Sequence, residues 1–87
     1  MLKITRIPGT DPVVLKLEGQ LLEPWLGEVL AVCAGARSGA EQPRLDLSQV
    51  NYVDLPGARL LRELRRRGIE IVARSMFVKE LLNTENP

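Results

Sequence analysis

The side chains that could carry chemistry are few in this chain of 87 residues. There is no histidine, and Cys33 is the single cysteine. Hydrolytic triads use a histidine base, and cysteine/histidine zinc sites need several such ligands, so both kinds of site are excluded. No glycine-rich phosphate loop of the G-x-x-x-x-G-K or G-x-G-x-x-G kind occurs. We therefore expect no enzymatic activity, no metal and no cofactor.

The charges that could recognise a partner are concentrated in one segment. Of the 12 basic and 11 acidic residues, five arginines and one glutamate lie between Arg59 and Arg67, which leaves seven basic and ten acidic residues elsewhere. Such a segment is a solvated helix face, a docking surface for an acidic protein or a nucleic-acid surface. The third interpretation is the weakest, because no aromatic side chain interleaves with the arginines to stack on bases.

Apolar periodicity predicts the elements that position these residues. The predicted strands are 2–7, 13–18, 43–48 and 69–73, and the predicted helices are 24–36, 56–67 and 76–82. We expect 13–18 to end at Gly19-Gln20, 49–55 to be a loop, and 56–67 to bury Leu61 and Leu64. Strands joined through helices favour parallel pairing. Residues 1–83 are expected to form one domain, followed by a short polar tail, 84–87.

The first predicted helix is unusual because Glu28 is the one charge between Pro24 and Ala36. Its apolar stripe is formed by Trp25, Leu26, Val29, Leu30, Val32 and Cys33. Its other side is small: Gly27, Ala31, Ala34 and Gly35. Surface helices usually carry charges there. We expect this side either to pack closely against another element or to form a homodimer through helix 24–36.

Three segments resemble the STAS family, whose domains occur in anti-sigma-factor antagonists and sulphate transporters. The most specific runs from Asp46 to Gly57 and reads DLSQVNYVDLPG, similar to the family's strand-and-loop signature. The others are VLKLEGQL, 14–21, and the Leu60-Leu61 pair followed by GIEI, 68–71. The resemblance implies an α/β fold of order β-β-α-β-α-β-α, with a four-stranded mixed sheet and helices packed mainly on one face. The order predicted from periodicity agrees with it.

The resemblance also implies a partner site on the loop 54–57 and the helix that follows. The residues assigned to this site are Asp54, Leu55, Ala58, Arg59, Arg62 and Arg66. In antagonist members the loop reads Asp-Ser-Ser-Gly and its first serine accepts phosphate. Here Leu55 stands at that position and Pro56 follows it, so the loop has no phosphoacceptor.

Two of these residues have competing interpretations. A carboxylate at Asp54 can accept hydrogen bonds from the N-terminal N–H groups of the helix instead of contacting a partner. Leu55 is either an exposed apolar anchor or a plug turned into the base of the helix.

Taken together, these features predict a protein-binding module of bacterial type that takes part in signalling. Its partner would be an anti-sigma factor or a kinase-like protein. The alternatives are a small STAS subunit regulating a membrane transporter and, less favoured, a nucleic-acid binder. A lone cysteine forms no internal disulfide, and no stretch is apolar enough to span a membrane, so we expect a cytoplasmic location.

Overall fold

The computed structural model describes residues 2–7, 9, 12–36 and 41–83. The strands are β1 (Leu2–Ile7), β2 (Val14–Leu21), β3 (Arg44–Val53) and β4 (Glu70–Val72). The helices are α1 (Leu26–Gly35), which a 3-10 turn (Glu23–Trp25) precedes, α2 (Leu55–Arg66) and α3 (Met76–Asn83). The predicted α/β fold and the order β-β-α-β-α-β-α are confirmed. The expected tail, 84–87, lies outside the described residues.

The four strands form one mixed sheet in the order β1-β2-β3-β4. β1 and β2 are an antiparallel pair, with Leu2 opposite Gly19 and Ile7 opposite Val14. β3 runs parallel to both β2 and β4. The parallel pairs are connected through helices, as chains of this kind require.

The core lies between one face of the sheet and the three helices. Leu15 and Leu17 of β2 and Leu45 and Leu47 of β3 are fully buried. The buried helical side chains include Val29, Cys33, Leu61, Leu64, Val78 and Leu82. The burial predicted for Leu61 and Leu64 is confirmed.

Two strands are longer than their apolar alternation predicts. β2 continues through Gly19-Gln20, where a break was expected, and β3 continues to Val53 through an expected loop. The two extensions pair with each other, since Gln20 lies opposite Tyr52 and Leu21 opposite Val53. The register shifts between Lys16 and Glu18 and again between Gly19 and Gln20, where Gly19 has φ 106°. Along β3, burial stops alternating after Leu47.

The end of α2 and the start of α3 are capped in common ways. Gly68 has φ 101°, and its N–H donates to the Arg65 carbonyl while the Ile69 N–H donates to that of Leu64. This pair of bonds is the Schellman arrangement that ends many helices with glycine. At the start of α3, the Ser75 hydroxyl accepts a hydrogen bond from the Val78 N–H at 3.4 Å.

Helix α1 is less buried than its composition predicts. Val29, Cys33 and Ala36 form a narrow buried stripe, while Trp25 and Leu30 are exposed. The small side, Gly27, Ala31, Ala34 and Gly35, is exposed as well. The expectation that this side packs closely against another element of the chain is therefore wrong.

Candidate functional site

The loop between β3 and α2 is held in place by Asp54. This residue is extended (φ −81°, ψ 177°) and caps the helix, with its Oδ1 accepting from the Gly57 N–H at 2.8 Å. Its Oδ2 accepts from the Glu23 N–H at 2.9 Å. Both carboxylate oxygens are thus engaged within the chain, and they connect the start of α2 to the turn that follows β2. The geometry favours a positioning role for Asp54.

Gly57 allows this junction to be tight. A Cβ at this position would lie 2.9 Å from the Leu21 carbonyl oxygen and 3.0 Å from both Val53 Cγ1 and Asp54 Oδ1. The Asp54 N–H also donates to the Leu21 carbonyl at 3.2 Å. Since backbone atoms cannot move aside easily, only glycine fits here. The ends of β2 and β3 and the start of α2 therefore form one fixed unit.

Leu55, the first residue of α2, projects from this unit into solvent. Its exposed fraction is 65%, although leucine is among the residues most often buried. The alternative in which Leu55 turns inward and plugs the base of the helix is wrong.

The outer side of α2 carries the arginines. Arg59 and Arg66 are exposed and Arg62 is half-buried, with its Nε donating to the Ala58 carbonyl at 3.4 Å. Glu63 accepts from Arg66 and from Arg67, each at 3.0 Å. One carboxylate thus balances part of the charge, and the surface of α2 remains basic.

Ala58 does not belong to the accessible site. The sequence interpretation assigned it to partner contact, but its exposed fraction is 0%. It lies about 100° around the helix from Gly57, and α2 is buried over a side wide enough to include both residues.

Three further apolar side chains are exposed where β3 ends and α3 begins. Tyr52 and Phe77 stack, with ring centroids 5.8 Å apart and an interplanar angle of 14°. Both rings are partly exposed, and the neighbouring Met76 is 70% exposed. With Leu55 these residues form what we call the apolar end. Helical spacing places Phe77 beside the buried side of α3, which carries Val78 and Leu82.

The members of the apolar end lie at the same end of the helical layer. Near the other end of that layer, an Arg65 side-chain N–H donates to the Leu82 carbonyl. At the end where α2 and α3 begin, Tyr52 comes three residues before Leu55 and stacks on Phe77. Helices α2 and α3 therefore run in the same direction, and both begin beside the end of β3.

The described residues offer little for covalent or metal chemistry. Among them no group of three or more His, Cys, Asp or Glu side chains could hold a metal ion. Cys33 is buried, and desolvation raises the pKa of its thiol, which disfavours the nucleophilic thiolate. In this part of the chain no helix is long and apolar enough to cross a bilayer.

No protein-family model matches this chain, and no curated protein sequence matches it either. Several solved structures do match this chain. A protein named Mglu aligns with 82% of this chain at 25% identity and a TM-score of 0.61, and this chain spans 19% of its length. An anti-sigma-factor antagonist STAS domain from Rhodobacter sphaeroides aligns with this chain at 21% identity and a TM-score of 0.57. The alignment includes 88% of this chain and 89% of that domain.

A third structure is an uncharacterised protein from Shewanella loihica with a SpoIIAA-like fold. The alignment includes 87% of this chain and 70% of that protein, at 16% identity and a TM-score of 0.57. The similarity to the two smaller proteins extends over most of the chain. The chain therefore has a STAS-like fold, the fold of anti-sigma-factor antagonist domains.

Proposed function

We propose that the chain is a non-enzymatic protein-binding module whose partner docks on the apolar end and on the arginines of α2. The observation that carries the proposal is Leu55, a large apolar side chain that is 65% exposed and starts from a backbone fixed by Asp54 and Gly57. An apolar group held in one position loses little conformational entropy when a partner buries it.

The surroundings of Leu55 have the composition of a protein interface. Interface centres are enriched in Tyr, Phe, Met and Arg, and Tyr52, Met76, Phe77 and Arg59 supply each type. The basic side of α2 favours an acidic partner, since opposing a like-charged surface is costly. The similarity to an anti-sigma-factor antagonist domain supports an anti-sigma factor or a kinase-like protein as that partner.

Regulation would differ from that of a phosphorylated antagonist. The residues from Asp54 to Gly57 have no hydroxyl group, so no phosphate ester can form in this loop. We infer that the apolar Leu55 gives permanent binding competence where a phosphorylatable serine would give a switch.

The test compares Leu55→Glu with Leu30→Glu, which makes the same change at an exposed leucine of α1. Wild-type and variant chains are used for affinity purification from the native cell, and the recovered protein is then titrated with each of them. We expect Leu55→Glu to weaken binding at least about tenfold, or about 1.4 kcal/mol, and Leu30→Glu to bind normally. Melting temperatures near that of the wild type exclude unfolding as the cause.

The identity of the recovered protein separates the alternatives. An anti-sigma factor or a kinase-like protein supports the proposal, whereas a transporter ATPase indicates a transporter subunit. Binding to duplex DNA that falls steeply with salt would indicate the nucleic-acid alternative. A folded Leu55→Glu variant that binds its partner as the wild type does contradicts the assignment of the site.

A further inference from the structure

The outward side of α1 is a second surface, distinct from the apolar end. At about 100° per residue, Gly27, Ala34 and Gly35 all lie within about 60° of Ala31, and all four are exposed. A Cβ added at Gly27 or Gly35 would meet no described atom within 4 Å. Packing among the described residues therefore does not require these small side chains, although they would let another backbone approach closely.

The two flanks of this surface differ in charge. Glu28 lies about 60° from Ala31 on one side. On the other side, Ala34 and Leu30 line a cleft of about 110 Å³ whose rim includes Arg67. The Arg67 side chain is 60% exposed and is ion-paired with Glu63. Arg66 shares this carboxylate, so the flank keeps a net positive charge. The surface thus has a neutral centre, an acidic flank and a basic flank.

The flanks also differ in their apolar residues. Leu30 is 41% exposed and lies about 100° from Ala31 on the Arg67 side, and Val32 lies about 100° away on the Glu28 side. A two-fold axis parallel to two facing helices exchanges the flanks, so that the Glu28 side of one copy faces the Arg67 side of the other. The same axis places Leu30 of each copy beside Val32 of the other.

We propose that two copies of this chain associate through α1 about such an axis, with their α1 helices parallel. Of the partners that could cover this surface, a second copy matches its charges on both flanks and its neutral centre. Association through α2 would oppose arginine to arginine. The dimer leaves the apolar end free on each copy. The proposal of a dimer is therefore independent of the partner binding proposed above, and either can be wrong without the other.

The experiment is sedimentation equilibrium of the full chain over a concentration series. We expect a reversible wild-type dimer. Ala31→Arg, at the exposed centre of the surface, should raise the dimer Kd at least about tenfold without changing the melting temperature of dilute protein. Leu55→Glu is the matched control and should leave dimerisation unchanged. A wild-type chain that stays monomeric up to about 1 mM, or a folded Ala31→Arg variant that dimerises equally well, overturns the proposal.

The charges test the orientation of the two copies. Glu28→Arg should weaken the dimer because it opposes Arg67 of the other copy, and adding Arg67→Glu should restore part of the loss. A coupling of this kind is what a double-mutant cycle detects. Additive effects of the two changes would contradict the parallel arrangement.

Discussion

At the scale of single residues, position 57 is one where the structure leaves no room for a side chain larger than that of glycine. The Cβ of Gly57→Ala would lie 2.9 Å from a backbone oxygen, and overpacking of this kind costs about 1–3 kcal/mol. Gly27→Ala is the matched control, because its Cβ would meet no described atom within 4 Å and alanine favours a helix. Chemical denaturation of dilute protein should therefore show a destabilised Gly57→Ala and an unchanged or stabilised Gly27→Ala. Equal stabilities would contradict the fixed junction.

A second residue, Asp46, links stability to pH. Hydrogen bonds from the Ser48 side chain and then from the Ser48 N–H, at 2.9 Å, lower the pKa of its carboxyl below 3.8. Nearby Lys16 and Arg74 lower this pKa further. The folded carboxyl thus keeps its charge to lower pH than the unfolded one. Its contribution to stability is present above pH 3.8 and is lost as pH falls through the folded pKa.

Urea unfolding over a pH series checks this effect of Asp46. The wild type should lose more stability than Asp46→Asn as pH falls below about 5, because the amide does not titrate. Parallel pH profiles of the two proteins would show that Asp46 ionises equally in the folded and unfolded states.

At the scale of elements, α2 packs through Leu61 and Leu64 and exposes Leu55. Leu64 is 2% exposed, so Leu64→Ala should cost about 2–5 kcal/mol, as other buried truncations do. The same truncation at Leu55 should stay within about 0.5 kcal/mol. Thermal melts of both variants measure the difference, and similar melting temperatures would mean that α2 presents another side to the sheet.

Periodicity was sufficient to predict α2, because its leucines recur at helical spacing and Gly68 marks its end. It was insufficient for the ends of β2 and β3. There, Gln20 and Leu21 pair with Tyr52 and Val53, and the parallel pairing keeps both segments extended. Beyond Leu47 the buried residues of β3 are three apart, so the simple alternation that a sequence can reveal is lost there.

The site was only partly predictable for a similar reason. Leu55 and the arginines of α2 were identified from the sequence, but the exposure of Leu55 depends on contacts between Asp54 and a distant turn. The burial of Ala58 depends on the packing around α2, which spacing along one helix does not give. The Tyr52–Phe77 stack and the neighbouring Met76 were not among the residues assigned to the candidate site, because the contact between Tyr52 and Phe77 joins β3 to α3 across the fold.

At the scale of the whole molecule, the two proposed surfaces differ in their chemistry. α2 presents basic and apolar groups together, whereas α1 presents a nearly uncharged side. If both surfaces are occupied at once, a dimer holds two copies of the apolar end, and a partner with two sites would bind it with avidity.

The strand order β1-β2-β3-β4 also has a consequence for how the chain reaches its fold. Every strand lies beside its neighbour in sequence, so no later strand has to insert between two earlier ones. The sheet can grow from the β1–β2 hairpin outward as synthesis delivers each segment. A hairpin alone is marginally stable in water, so lasting structure requires β3. That step joins segments about 30 residues apart, since Val14 lies opposite Arg44, and non-local parallel pairing of this kind slows folding. The free edge of β2 therefore stays exposed until β3 has paired with it.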